Sequence, residues 1–173
     1  MSPSTSMRYT DRERHELPFE WPKTPFEIVL VEPVIPPNTG NIARLCAATA
    51  TPLHLVEPLG FDLSEKQVRR AGLDYWDAVN LTVHASFDRY LEDTPKAQKH
   101  LFTTSAKQDH AQIAYHPGAH LVFGSETHGL SNEILQKFPD QGCNIPIQLG
   151  TVRSLNLANA VSIALYTALR NRA

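Results

Sequence analysis

Three short stretches carry residue types that do chemistry, and each sits where an apolar run hands over to a helix-like pattern. The first is PPNTGNIARLC, Pro36 to Cys46. Pro36 and Pro37 cannot continue strand pairing and push the chain toward extended or turn geometry. Asn38 can cap a helix or take unusual backbone angles, and Gly40 permits positive φ, which places a helix start near Asn41. Ile42, Leu45, Cys46 and Thr49 then follow i, i+3, i+4, i+7 spacing and face a sheet. Asn41 and Arg44 share a different face. An amide beside a guanidinium at a helix start suits a phosphate or another oxygen-rich group. The same residues also fit an Asn-Gly turn followed by a surface arginine.

The second stretch is LVFGSETHGLS, Leu121 to Ser131. Gly124 and Gly129 have the glycine spacing of a phosphate-binding P-loop, but Leu130 stands where its lysine belongs, which disfavours nucleoside triphosphates. What remains is a glycine that lets a ligand approach the backbone, with the Glu126 carboxylate beside it. The third is IPIQLGTVRSLNLANA, Ile145 to Ala160, where Arg153, Ser154 and Asn156 cluster at the start of a long helix and Ser154 reads as its N-cap. Ligands of open α/β sheets bind at the carboxyl ends of strands, so three such junctions point to one shared cleft.

Other chemistries find less support. No GxGxxG follows a strand and no GxSxG is present. The eight histidines show no metal-ligand spacing; His116 and His120 are separated by Pro117 and Gly118, which break any helix, so no metal is expected. KQVRRAGLDYW, Lys66 to Trp76, offers Lys66, Arg69 and Arg70 with Tyr75 as a surface for RNA phosphate and a stacked base, or else forms a solvated helix with core aromatics.

The elements that must position these residues are short apolar runs at Glu27–Val31, Leu53–Val56, Asn80–Val83, His100–Thr104, His120–Gly124 and Cys143–Ile147. They alternate with helix-like segments at Ile42–Ala50, Ser64–Ala71, Ser131–Lys137 and Leu155–Arg170. That alternation predicts an α/β fold with a parallel sheet covered on both faces. In the last helix Leu157, Ala158, Val161, Ala164, Leu165, Ala168 and Leu169 form one stripe, while Leu155, Ile163 and Tyr166 are apolar outside it. A helix apolar over so much of its circumference needs partners on two sides, which predicts a symmetric homodimer.

The 173 residues suit one domain, here 26–173, preceded by a flexible extension, 1–25, whose Arg8, Arg12 and Arg14 either touch a polyanion or lie in a solvated tail. A net charge of −2 advertises no global field for nucleic acid, so such contacts must be local. Cys46 and Cys143 have no CxxC partner and read as reduced structural thiols. No apolar run approaches the roughly 18 residues of a membrane span, and the N-terminus lacks the apolar core of a signal peptide. The expectation is a cytoplasmic protein without membrane contact.

Taken together, EPVIPPNTGNIARLCA, EPLGF, RRAGLDYW, FGSETHGL and RSLNLANAV, in this order and over nearly all of Phe26 to Arg170, resemble the SPOUT methyltransferases, and within them the TrmL (YibK) type of tRNA 2′-O-methyltransferase. The resemblance implies a C-terminal trefoil knot, a homodimer that builds the site, S-adenosylmethionine as methyl donor with S-adenosylhomocysteine as product, and the 2′-hydroxyl of the wobble nucleotide of tRNA as acceptor. It puts the cofactor against Thr104, Gly124, Ile145 and Leu155. It assigns the reaction to Asn38, Arg44, Glu126, Ser154 and Asn156. RNA contact is expected from the residue types themselves, at Arg153 and at Lys66, Arg69, Arg70 and Tyr75. Ser125 departs from a common proline, His128 from a common arginine, and QLGTV from a more usual proline-containing segment. The same fold also serves 2′-O-methylation of other RNA such as rRNA, and non-catalytic RNA binding.

Overall fold

The structure is a computed structural model describing residues 15, 17–63, 78–148 and 150–173. Its centre is a six-stranded parallel sheet of β1 (Glu27–Val31), β2 (Leu53–Val56), β3 (Leu81–His84), β4 (Lys99–Phe102), β5 (His120–Phe123) and β6 (Gly142–Cys143), in the order β3-β2-β1-β5-β4-β6. All six apolar runs contribute a strand, and every pairing is parallel. Of the last run only Cys143 enters the sheet, opposite Phe102; Asn144 bridges to Asp109 instead, and Pro146 has no N–H for the ladder.

Strand alternation gives the sheet two unlike faces. Ile28, Leu30, Leu53, Leu55, Leu121 and Phe123 bury an apolar face beneath α1 (Pro36–Thr49) and α4 (Leu157–Arg170). The seven residues of the α4 stripe are its buried residues, whereas Ile163 and Tyr166 remain 41% and 49% exposed on its outer side. The opposite face, with Val29, Val31, Val56, Leu101 and Val122, lies under α2 (Phe87–Asp93) and α3 (Asn132–Lys137), through Phe87, Tyr90, Ile134 and Leu135. Helix α2 is an element the sequence reading passes over; Ser86 caps it by accepting from the Arg89 N–H.

This second face also carries a polar seam, which lies at the amino ends of β1, β2 and β5 and reaches His84 at the end of β3. His54 and His120 both approach Glu27, His84 links His54 to Asp93, and Tyr90 reaches His120. The hydrogen bond from His54 holds the Glu27 carboxyl below its ordinary range, and burial pushes the His120 imidazole down to about 4.

Cys46 and Cys143 are free and buried, and burial pushes both thiols up to about 12, which keeps them protonated. Before β1, Phe19 packs against the apolar core, with the Arg170 and Arg172 guanidinium groups over its ring. The Ser64–Ala71 segment and the Lys66–Tyr75 cluster lie outside the described residues. Among the described residues no helix is long and apolar enough to cross a membrane.

Leu165 is fully buried between α4 and the sheet. Leu165→Ala is expected to lower unfolding free energy by about 2–5 kcal/mol in a urea titration, because the surrounding core cannot fully collapse onto the gap.

Candidate functional site

The β1–α1 junction is built differently from the expected Asn-Gly turn. Helix α1 begins at Pro36, not near Asn41, with both prolines in its first two positions, and Gly40 is buried inside the helix. Proline fits there because the first helical N–H groups have no intrahelical acceptor. The N-cap, Ile35, offers no side-chain cap. The missing negative group comes from far along the chain. Glu126 Oε2 accepts from the Val34 N–H at 2.8 Å, and Oε1 accepts from the Ile35 N–H at 3.2 Å and from Asn38 Nδ2 at 2.9 Å. A carboxylate just ahead of a helix N-terminus is also favoured by the helix dipole.

The α4 junction joins the same chain of bonds. The cap of α4 is Asn156, not Ser154: its Oδ1 accepts from the N–H groups of Ala158 and Asn159 at 3.0 and 3.3 Å. Its Nδ2 donates to Asn38 Oδ1 at 2.9 Å. Glu126, Asn38 and Asn156, from three separate junctions, therefore form one continuous line. Ser154, displaced from capping by the later helix start, lines the cavity beside them.

Around this line lies a cavity of about 740 Å³ at the carboxyl ends of β4 and β5. Asn38, Thr104, Gly124, Glu126, Ile145, Arg153, Ser154, Leu155 and Asn156 all line it. Gly124 forms part of its wall because the loop after β5 folds straight back, with the Gly129 N–H donating to Ser125 O at 2.8 Å. A Cβ on Gly124 would lie 2.0 Å from the Gly129 carbonyl carbon and 2.1 Å from Leu130 N, so only glycine fits. Gly60 of EPLGF approaches the β1–α1 junction as tightly: a Cβ there would come within 2.7 Å of Val34 Cα.

Arg44 is the exception. It lies on the exposed outer side of α1 and is not among the residues lining the cavity of its own chain. Asn144 was the residue missed. Its Nδ2 reaches the Thr104 and Ala106 carbonyls at 3.3 and 3.4 Å, its N–H donates to Gln108 O, and its carbonyl accepts from the His110 N–H. The 103–110 loop thereby wraps the segment leaving β6. In the sequence Asn144 is hidden inside a run that reads as strand; the nearby Pro146 was the available signal that the strand stops early.

The volume falls in the roughly 300–1,000 Å³ range of small-molecule sites. Apolar Phe102, Phe123 and Leu157 line it together with Thr104, Asn144 and Ser154, a mixture that accepts an amphiphilic nucleoside-sized ligand. A compact ligand cleft at the carboxyl edge of a parallel sheet, walled by loops from three junctions, defines a small-molecule-binding α/β domain.

The SpoU rRNA Methylase family model matches residues 25–166, and the chain belongs to that family. It is 46% identical over 146 residues to the tRNA (cytidine(34)-2′-O)-methyltransferase of Methylovorus glucosotrophus (strain SIP3-4), covering 84% of this chain and 94% of that protein. A solved structure concerned with "the 2-OH methylation of C/U34 on tRNA" is 43% identical, with a TM-score of 0.80 over 86% of this chain and 96% of the other. The AdoMet-bound rRNA methyltransferase from Sinorhizobium meliloti is 26% identical, with a TM-score of 0.75 over 84% of this chain and 56% of the other.

Two substitutions test the geometry. Gly124→Ala should lower the unfolding free energy in chemical denaturation, since the added methyl group overlaps the Gly129–Leu130 backbone and displaces the wall. Glu126→Ala leaves two backbone N–H groups and one amide without their acceptor. It should destabilise the chain by about 2 kcal/mol in chemical denaturation.

Proposed function

We propose that this chain transfers a methyl group from S-adenosylmethionine to the ribose 2′-hydroxyl of the wobble nucleotide, position 34, of tRNA. The single observation that carries the reading is the convergence of Thr104, Gly124, Ile145 and Leu155 on one cavity that Asn38, Ser154, Asn156 and Arg153 also line. The likeness to tRNA (cytidine(34)-2′-O)-methyltransferases, which spans 94% of the Methylovorus protein, supports the substrate. The rRNA named in the family description supplies the second reading, 2′-O-methylation of ribosomal RNA.

When bound, the cofactor supplies an electrophilic methyl carbon on a sulfonium. The chain's own task is to hold and orient the acceptor and to stabilise its oxygen as the proton leaves. Thr104, Gly124, Ile145 and Leu155 wall the cofactor. Ser154, Asn156 and Asn38 orient the acceptor ribose. Glu126 works behind them by fixing Asn38. A ribose hydroxyl is a poor nucleophile at neutral pH, and a guanidinium, with a pKa above about 12, is a poor base. Arg44 is therefore assigned to anchoring the adjacent phosphate and stabilising negative charge on the attacking oxygen, with a phosphate oxygen or water taking the proton.

Arg44 lies outside its own chain's cavity, and in this reading the pairing of two copies closes the gap. The exposed Ile163 and Tyr166 on α4 are assigned to that homodimer seam. The wrap of the 103–110 loop about Asn144 supports the trefoil knot as the topology of the C-terminal half. The catalytic domain is assigned to 26–173, with 1–25 as an extension, and the site of action to the cytoplasm, where tRNA is modified.

The decisive experiment is methylation of total RNA with labelled cofactor, followed by nucleoside mapping. Label at position 34 of tRNA is expected; label confined to ribosomal RNA selects the second reading. Arg44→Ala should lose methylation while retaining cofactor affinity, and Arg44→Lys, which keeps charge without the planar fork, should be badly impaired. Full activity in Arg44→Ala defeats the assignment. Measured mass should be twice that of the chain at micromolar concentration.

A further inference from the structure

The polar seam at the other end of the strands has no part in the chemistry above. We propose that Glu27, His54 and His120 form a binding site for one divalent first-row transition-metal ion, with zinc as the representative. Glu27 Oε2 and a ring nitrogen from each histidine lie within 4.8 Å of one another. The three residues come from the adjacent strands β2, β1 and β5. Glu27 pairs directly with His120 in the parallel register, and His54 stands diagonally across on the same face.

The orientation is that of a ligand set. Both imidazoles turn the same atom, Nε2, toward one carboxylate oxygen, at 2.5 Å from His54 and 3.3 Å from His120. Each opposite nitrogen is held by a second partner. His54 Nδ1 lies 2.9 Å from His84 Nε2, and His84 Nδ1 lies 3.0 Å from Asp93 Oδ2. His120 Nδ1 lies 2.8 Å from the Tyr90 hydroxyl. Such outer partners fix ring orientation and tautomer in metal sites. His54 and His120 are buried, while the Glu27 side chain is 27% exposed, which leaves access for an ion and room for water as further ligand.

Two imidazoles and one carboxylate select zinc and its neighbours over magnesium or calcium, which prefer all-oxygen sets. Ligand bonds of about 2.0–2.2 Å require the Glu27–His54 contact to open by under about 1 Å, which rotation of the rim carboxylate can supply. The neighbouring cation, Lys99, donates to the carbonyls of Thr94 and Ala97, which hold its ammonium in place. Bound there, the ion would clamp β2, β1 and β5 together at the end remote from the cleft. The proposed ion is thus structural and takes no chemical part in methyl transfer.

The test uses the full-length, tag-free chain stripped of metal, titrated with zinc chloride by calorimetry and analysed for metal after gel filtration. About one zinc per chain should be retained, with a raised thermal midpoint. His120→Ala and Glu27→Gln should lose it, and His116→Ala, on an exposed residue, should keep it. Tyr90→Phe or His84→Phe should weaken affinity roughly 10–100-fold, as loss of an outer partner does. If the ligand variants fail to fold, cobalt(II) on the unaltered chain decides: a saturable visible absorption band at one equivalent, displaced by zinc, is expected. No such band, no retained zinc, or equal retention by folded His120→Ala overturns the site.

Discussion

The Glu126 carboxylate fixes the functional end of the molecule. It sits half-buried on the loop after β5 and gathers three donors from the β1–α1 junction, some ninety positions earlier in the chain. A carboxylate suits the place better than an amide, since it accepts only and every group facing it donates. The two prolines complete the logic. They delete N–H groups that would otherwise compete for the same oxygens, and leave Val34 and Ile35 as the donors ahead of the helix. Asn38 passes the constraint on to Asn156, which in turn caps α4. One ionic acceptor thus sets the relative positions of the three segments that wall the cavity.

The second organising feature is the unlikeness of the two sheet faces. The α1–α4 face is apolar except for the buried His100 of β4, which packs against Tyr115, so the long helix can cover it with a stripe of alanine, valine and leucine and leave its outer side to other uses. The α2–α3 face mixes valines with Glu27, His54, His120 and Lys99. Buried charge of this kind persists only where each group finds a partner. Here the partners are one another, Tyr90 and Asp93 from α2, and backbone carbonyls before β4. Helix α2 is therefore tied to the sheet by polar bonds as well as by Phe87.

These differences explain what was legible in the sequence. Strands other than β6, a Gly-Cys pair, read well because they are short runs rich in branched or aromatic residues, and the α4 stripe read well because seven positions repeat the helical period. Boundaries read less well where the first residue is unusual. Proline at the head of α1 resembles a loop, and the Asn156 cap lies two residues beyond a serine that competes for the same reading. Helix α2 was missed because FDRYLED is a single short segment with only Phe87, Tyr90 and Leu91 on one face. Asn38, Glu126, Ser154 and Asn156 stood out in motifs and Thr104, Ile145 and Leu155 followed from the family resemblance; the bonds among Glu126, Asn38 and Asn156 were not legible, since these lie far apart in sequence. The histidine seam was invisible for the same reason. Metal spacing is sought along one helix or turn, whereas these ligands come from neighbouring strands.

The two ends of the sheet are mechanically related through β1 and β5. Each strand begins in the seam, at Glu27 and His120, and ends at a junction of the site, the Pro36 helix and Gly124. β5 is four residues long, so the polar anchor and the cavity wall are separated by roughly 13 Å of strand. So short a segment, hydrogen-bonded on both sides by β1 and β4, leaves little freedom for Gly124 to shift independently of His120. Gly124 tolerates no displacement toward Gly129, because the two backbones already touch. Fixing the amino ends of the strands therefore narrows the range of positions open to the cavity wall. A seam that takes no part in the chemistry still helps hold the geometry on which that chemistry depends.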